Sequence, residues 1–368
     1  MKITNVETFH LRGSVEALPD SSMEALIVKI TTDSGHVGWG ESDGNRAVNR
    51  AAIHAPYSSP VVNGLRNILL GENPLDVTRL WKRMYDETIY SGRDGAVIHA
   101  MAGVDIALWD LKGKILGVPV HQLLGGCFRD RLPAYASVLF EEGPEANARL
   151  ARKIVDEGYR AMKLGWQSFG RGALEDDIAV LAAIRDEVGY GVGLAVDLGF
   201  AWTAKQAIQR TRAFSRFDLL WIEEPFVPDD LQSYRKLTAA VDTPIAAGEE
   251  EGSLNGYVRL MDAGLDYIQV DVTKIGLTLS MQVATIAAQR GLRCINHNFS
   301  NHINTAASLH LLAAIPNAFI LEYGYNPAEV ARTLVSNPIV VEDGYAKVPM
   351  APGLGVEVDL DVIAKFAI

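Results

Sequence analysis

The chain has little of what marks several functional classes. It holds two cysteines in 368 residues, Cys127 and Cys294, far apart and in no Cys-x-x-Cys pair. A disulfide framework is therefore not expected, and a reducing compartment is. No run of 18 apolar residues occurs, and the opening "MKITNVETFH" has no apolar signal core, so neither a membrane span nor a leader is expected and the location is read as cytoplasmic. There is no basic cluster, which argues against a nucleic-acid partner. No Gly-x-Gly-x-x-Gly follows the first strand-like run, so nothing favours a dinucleotide fold. What is present is ordinary for a soluble globular protein: 48% hydrophobic and 21% charged residues, enough for a large core. The net charge is −11, so an acidic substrate would need a local cation.

The pattern along the chain divides it in three. Residues 1–125 read as a small α+β capping domain. Three strand-like runs, "ITNVETFHLR", "EALIVKITTD" and "HVGWGES", come first, with a turn-forming Asp-Ser-Gly at 33–35 between the last two. Apolar residues at i, i+3 and i+4 then mark helices in "PLDVTRLWKRMYDET" and "VIHAMAGVDIALWDLKGKILG". Residues 126–340 alternate short apolar runs with amphipathic helices such as "EANARLARKIVDEG" and "LEDDIAVLAAIRDEVG". Strand candidates end near Phe140, Lys163, Asp197, Glu223, Glu249, Asp271, Asn296 and Glu322. Eight such units predict an α/β fold, a (β/α)8-type barrel. Residues 341–368 read as a closing segment.

Chemistry in such barrels sits where the strands stop. In "LLWIEEPFVPDD" an apolar run stops on two adjacent carboxylates, Glu223 and Glu224, and burying an unpartnered carboxylate is costly. Asp197, Glu223 and Glu249 end three consecutive strands and are each 26 residues apart. Single strand-end acids often just reach water or cap the next helix. Three at one height in a barrel mouth would force one another to protonate unless a cation joined them, and hard oxygen donors in that number suit Mg²⁺. Lys163 ends the second strand beside them. Asp271 and His297 end the sixth and seventh, where the acid can fix the imidazole tautomer and raise its basicity as a general base. Glu322 ends the eighth.

With those residues in place, the chain resembles the enolase superfamily, mandelate racemase subgroup, over essentially its whole length. The likeness includes "GVDIALWDLKGKILGVPVHQLLGG" at 103–126 and "DGYAKVPMAPGLGVEVD" at 343–359, the latter resembling a segment that returns to the capping domain. The resemblance implies Asp197, Glu223 and Glu249 as Mg²⁺ ligands, His297–Asp271 as the base dyad, and Glu322 as a hydrogen-bond donor or acceptor to a substrate carboxylate. Glu224 would lie behind the ligands. Lys163 would clamp the developing charge. Abstraction of a proton α to a carboxylate makes a dianionic enediolate, which a cation, Lys163 and a protonated Glu322 would stabilise.

One departure bears on the fate of that species. Family members often carry Lys-x-Lys at the second strand end, the second lysine serving as a base on the face opposite the histidine. Here the run is Lys163-Leu164-Gly165. One base fits dehydration of a sugar acid to a 2-keto-3-deoxy acid; a racemase, an epimerase or a lactone cycloisomerase would share the metal and the dyad, and a non-catalytic barrel is the reading from another class. A second departure is Gly199, where relatives often keep a polar residue. Trp166, Trp202 and Tyr323 fall just past strand ends and suit either pocket walls or packing. Specificity is expected from loops 14–22 and 42–54, which carry Glu16, Asp20, Asp43, Asn45, Arg46 and Asn49, Arg46 being able to meet a distal carboxylate. The expected partners are a small acid sugar and further copies of the chain, with no nucleic acid and no membrane.

Overall fold

The computed structural model describes residues 1–13, 24–325 and 328–368. Three antiparallel strands open the chain: β1 (Ile3–Arg12), β2 (Glu24–Thr32) and β3 (Val37–Ser42), in that order. Gly35, at φ 82°, gives the β2–β3 turn the left-handed backbone it needs. The helix Ala96–Leu116 lies across β3 and is buried nearly all round, as its lack of a polar face requires. The approach rests on glycine. A Cβ at Gly40 would stand 2.1 Å from the Gly103 carbonyl oxygen.

The other face of that helix docks on the second part of the fold. Asp105 accepts from the Thr278 backbone N–H at 2.8 Å and its hydroxyl at 2.6 Å, and Trp109 Nε1 donates to the same hydroxyl at 2.9 Å. Among the described residues no helix is long and apolar enough to cross a membrane.

Eight strands follow: β4 (Arg131–Leu139), β5 (Ala161–Gly165), β6 (Gly193–Asp197), β7 (Ile222–Glu223), β8 (Ile245–Ala247), β9 (Tyr267–Val270), β10 (Arg293–Asn296) and β11 (Leu321–Gly324). From β4 to β10 each pairs in parallel with the next, and β11 pairs in parallel with β4. A parallel bridge from Cys294 to Ala318, just before β11, closes the ring. The expected (β/α)8-type barrel is thus present, with each strand stopping within about two residues of the place its apolar run indicated. The interior is filled by alternating large and small side chains. Tyr135 and Trp221 meet edge-on with centroids 5.3 Å apart, in room left by Ala161, Ala195 and Ala246.

After β11 the chain forms a hairpin, β12 (Val341–Glu342) and β13 (Tyr345–Lys347), against the start of β4. It then returns along the capping elements. Leu354 N–H donates to Asp110 at 2.8 Å, and Ala367 bridges to Leu11 of β1.

Candidate active site

The strand ends deliver their side chains to one cavity of about 530 Å³ at the C-terminal face of the barrel. Lys163, Asp197, Glu249, Asp271, His297 and Glu322 all line it. The register explains why the first acids share a height: Gly165 pairs with Asp197, and Asp197 with Glu223. Glu249 comes two residues beyond β8.

Glu223 does not reach the cavity wall; it is wholly buried beneath Lys163. Lys163 Nζ donates to Glu223 Oε1, lies 2.8 Å from Glu322 Oε1 outside hydrogen-bond alignment, and is 3.9 Å from Asp197 Oδ2. The other oxygen of Glu223 accepts from Trp221 Nε1 at 2.8 Å. Sequence reasoning missed this donor. The signal was there, because residues two apart on a strand face the same way.

Among the described residues, no three His, Cys, Asp or Glu side chains are already drawn together around a metal-sized point. Lys163 sits among Glu223, Glu322 and Asp197 and offsets their charge. The residues nonetheless fit a hard cation. Asp197 and Glu223 stand side by side in register, and Glu249 Oε2 is buried with no partner. Burial, opposed by Lys163 but reinforced by Asp197 and Glu322, pushes Glu223 up to about 8. Burial likewise raises Glu249 to about 7 against the pull of His297 and Lys274. Such carboxyls are short of positive charge. Burial and then Glu249 push the adjacent Glu224 well up too. Its Oε1 accepts from Gly248 N–H at 3.3 Å, and its own backbone is left-handed at φ 40°. It lies behind the cavity.

His297 Nδ1 sits 2.7 Å from Asp271 Oδ2, and Nε2 sits 3.5 Å from Glu249 Oε1. Asp271 Oδ1 is held by Thr273, through its N–H at 2.7 Å and its hydroxyl at 2.6 Å. The acid is therefore oriented before it orients the imidazole. Burial opposes a charge on His297, but Glu249 and Asp271 outweigh it and raise the ring to about 10. A cation on Glu249 would weaken that pull. For Glu322, burial is outweighed by Lys163 and His297, so its carboxyl lies below the usual range. It accepts from Asn298 N–H at 2.9 Å. In this arrangement Glu322 serves as an acceptor.

A Cβ at Gly165 would stand 3.0 Å from Asp197 Cβ and Oδ2, a tight contact that Asp197 would have to relieve by a small shift. Gly199 has φ 47°, and its Cβ would press on the Trp166 ring at 3.1 Å. Of the three aromatics, Trp166 lines the cavity. Trp202 Nε1 is spent on the Gly170 carbonyl and Tyr323 OH on the Ile339 carbonyl, so both are packing residues.

Loop 14–22, with Glu16 and Asp20, lies outside the described residues. In 42–54, Asn45 caps the helix Arg46–His54, and Asn49 holds the Ser42 hydroxyl and the Asp43 carbonyl. Both are structural. Asp43 and Arg46 line the cavity but are paired with each other at 2.7 Å. Lys274 is a second cavity residue that the sequence reading passed over; it is buried and lies 2.8 Å from Glu250 Oε1. Its signal was a lysine inside the apolar run "VDVTKIGL", one turn after Asp271, where Gly276 at φ 77° breaks the helix.

Residues 146–362 match the enolase C-terminal domain-like family, and residues 14–125 match the mandelate racemase/muconate lactonizing enzyme N-terminal domain. The chain is 31% identical to the D-galactarolactone cycloisomerase of Agrobacterium fabrum, over 100% of this chain and 99% of that protein. It is 33% identical to the D-galactonate dehydratase of Ralstonia nicotianae, over 98% of this chain and 92% of that one. The crystal structure of a racemase from Streptomyces coelicolor with bound magnesium superposes with a TM-score of 0.88 at 28% identity, covering all of both chains.

Proposed function

Because the chain belongs to the mandelate racemase/muconate lactonizing enzyme family of the enolase superfamily, we propose that it is an acid-sugar dehydratase, using Mg²⁺ held by Asp197, Glu223 and Glu249. Mg²⁺ bound there supplies positive charge against the enediolate that forms when an α-proton leaves.

The chain's own residues supply the rest. Lys163, released from Glu223, faces the substrate carboxylate and holds its negative charge. His297 Nε2 takes the C2 proton, and the C–H electron pair passes into the enediolate. Asp271 holds the opposite ring nitrogen, keeping Nε2 available and stabilising the imidazolium. Collapse of the enediolate breaks the C3–O bond. The departing hydroxyl takes the proton back from His297 and leaves as water. The enol that remains ketonises with a proton from solvent at C3, giving the 2-keto-3-deoxy acid.

The observation that carries this reading is the single base. Glycine at 165 leaves no side chain where relatives often carry a second lysine, and this reading assigns His297 as the one base. Inversion at C2 needs both faces, whereas elimination needs one. The relative of Agrobacterium fabrum supports a second reading, in which the same proton is taken and a lactone oxygen departs in place of hydroxide. Screening acid sugars and their lactones with Mg²⁺ for 2-keto acid formation tests the proposal. Turnover of a neutral sugar, with no turnover or solvent exchange of any acid, would remove it.

A further inference from the structure

A further set of charges forms a wall of the cavity, from the capping elements at Glu24, Asp43 and Arg46 and from just past two barrel strands at Glu250 and Lys274, and these charges are already spent. Arg46 is buried and lines the cavity. Its guanidinium is 2.7 Å from Asp43 Oδ1 and donates to the carbonyls of Gly44 and, at 2.9 Å, Glu24. Lys274 is 2.8 Å from Glu250 Oε1. The Glu24 carboxylate lines the same cavity and is held at 2.7 Å by Arg12 Nε. Each cation of this wall has its own carboxylate, and each carboxylate its own cation. Burial opposes the charge on Asp43, but Arg46 and Lys274 hold its carboxyl down at about 2.

We infer that this distal wall selects acids with a single carboxylate and a neutral hydroxylated tail, aldonates or their lactones, and rejects aldarates. The inference rests on the acid-sugar reading above and narrows it. A second carboxylate entering here meets no spare positive charge among the described residues. To reach Arg46 it must displace Asp43, leaving a buried carboxylate unpaired. That penalty corresponds to about a hundredfold or more in affinity. Hydroxyls meet no such conflict. They donate to Asp43, Glu250 and Glu24 without moving a charge.

The test compares kcat/KM for aldonate and aldarate of matched configuration, galactonate with galactarate and gluconate with glucarate. Wild type is expected to favour the monoacid by about a hundredfold or more. Asp43→Asn frees Arg46 and should raise the aldarate-to-aldonate ratio about tenfold or more. If that variant fails to fold, Glu250→Gln takes away the carboxylate paired with Lys274, which Glu249 and Asp43 still face, and should raise the ratio in the same direction by a smaller factor. A wild type that prefers the aldarate, or a folded variant with an unchanged ratio, overturns the inference alone. Absence of turnover and of C2 solvent exchange with every acid overturns the proposed function instead.

Discussion

Replacing Trp221 by phenylalanine takes one hydrogen-bond donor from Glu223 and changes little else. The indole N–H lies 2.8 Å from Glu223 Oε2, wholly buried, while Lys163 holds Oε1. The phenyl ring keeps the edge-on contact with Tyr135. A hydrogen bond to a charged group is worth about 1.5–3 kcal/mol, which converts to roughly 10- to 100-fold in an equilibrium constant. The loss acts in two ways. Glu223 is no longer aimed by its lower oxygen, and its carboxylate is less stabilised, so it takes up a proton more readily than it does now at about 8. Mg²⁺ affinity, measured by calorimetry on metal-free protein, should fall by that factor, and the deficit should grow as the pH is lowered. Far-UV circular dichroism should stay close to wild type. A lower melting temperature alone decides nothing, because the smaller ring leaves a void. A folded Trp221→Phe protein that binds Mg²⁺ as wild type does would refute the positioning argument.

Glu223→Gln should abolish Mg²⁺ binding and turnover while the barrel persists, and unchanged calorimetric affinity would remove Glu223 from the ligand set. Mg²⁺ binding in wild type should weaken as pH falls from 8 to 6, because Glu223 and Glu249, raised to about 8 and about 7, must lose protons to bind; calorimetry in buffers of different ionisation enthalpy should show proton release. Asp105, raised by burial to about 7 despite its bonds from Thr278, binds more protons folded than unfolded between its ordinary value of 3.8 and about 7. Its contribution is therefore complete below 3.8 and is lost as pH rises through 7, at up to about 1.4 kcal/mol per pH unit. Asp105→Asn should gain on wild type by about 2 kcal/mol in urea unfolding between pH 5 and pH 8, and a difference independent of pH would show that the carboxyl is not titrating there.

Much of the barrel was legible because each strand is an apolar run that stops on a polar residue at the mouth. Asp197 and Glu223 could be set at one height from spacing alone, since parallel register carries height from strand to strand, whereas Glu249 stands three residues past Ala246, the register partner of Glu223. Spacing says nothing about which rotamer a side chain takes or what lies across the barrel from it. That is why Lys163 could be placed beside the acids but not among them, and why Trp221, two residues before Glu223, read as core. Arg46 shows the same limit. Its loop position suited a ligand, whereas the partner that occupies it, Asp43, is three residues away on a turn whose shape the sequence did not declare. Lys274 was hidden by a helix break: the apolar period before and after Gly276 reads as one helix, and only the positive φ there turns the first turn into the cavity.

The central claim is that His297 is the base and acts from one face only. Proton NMR in D₂O, following both C2 epimers of a turned-over acid sugar, tests it directly. The family resemblance implies that this dyad serves the R configuration at C2, so wild type should exchange and dehydrate the R epimer, with proton and hydroxyl leaving from the same side, and leave the S epimer unexchanged. His297→Asn should lose both reactions by about 10²- to 10⁴-fold or more. Rapid exchange of the S epimer by wild type, persisting in His297→Asn, would contradict the account, reveal a second base with Lys163 as the candidate, and put racemisation or epimerisation ahead of dehydration.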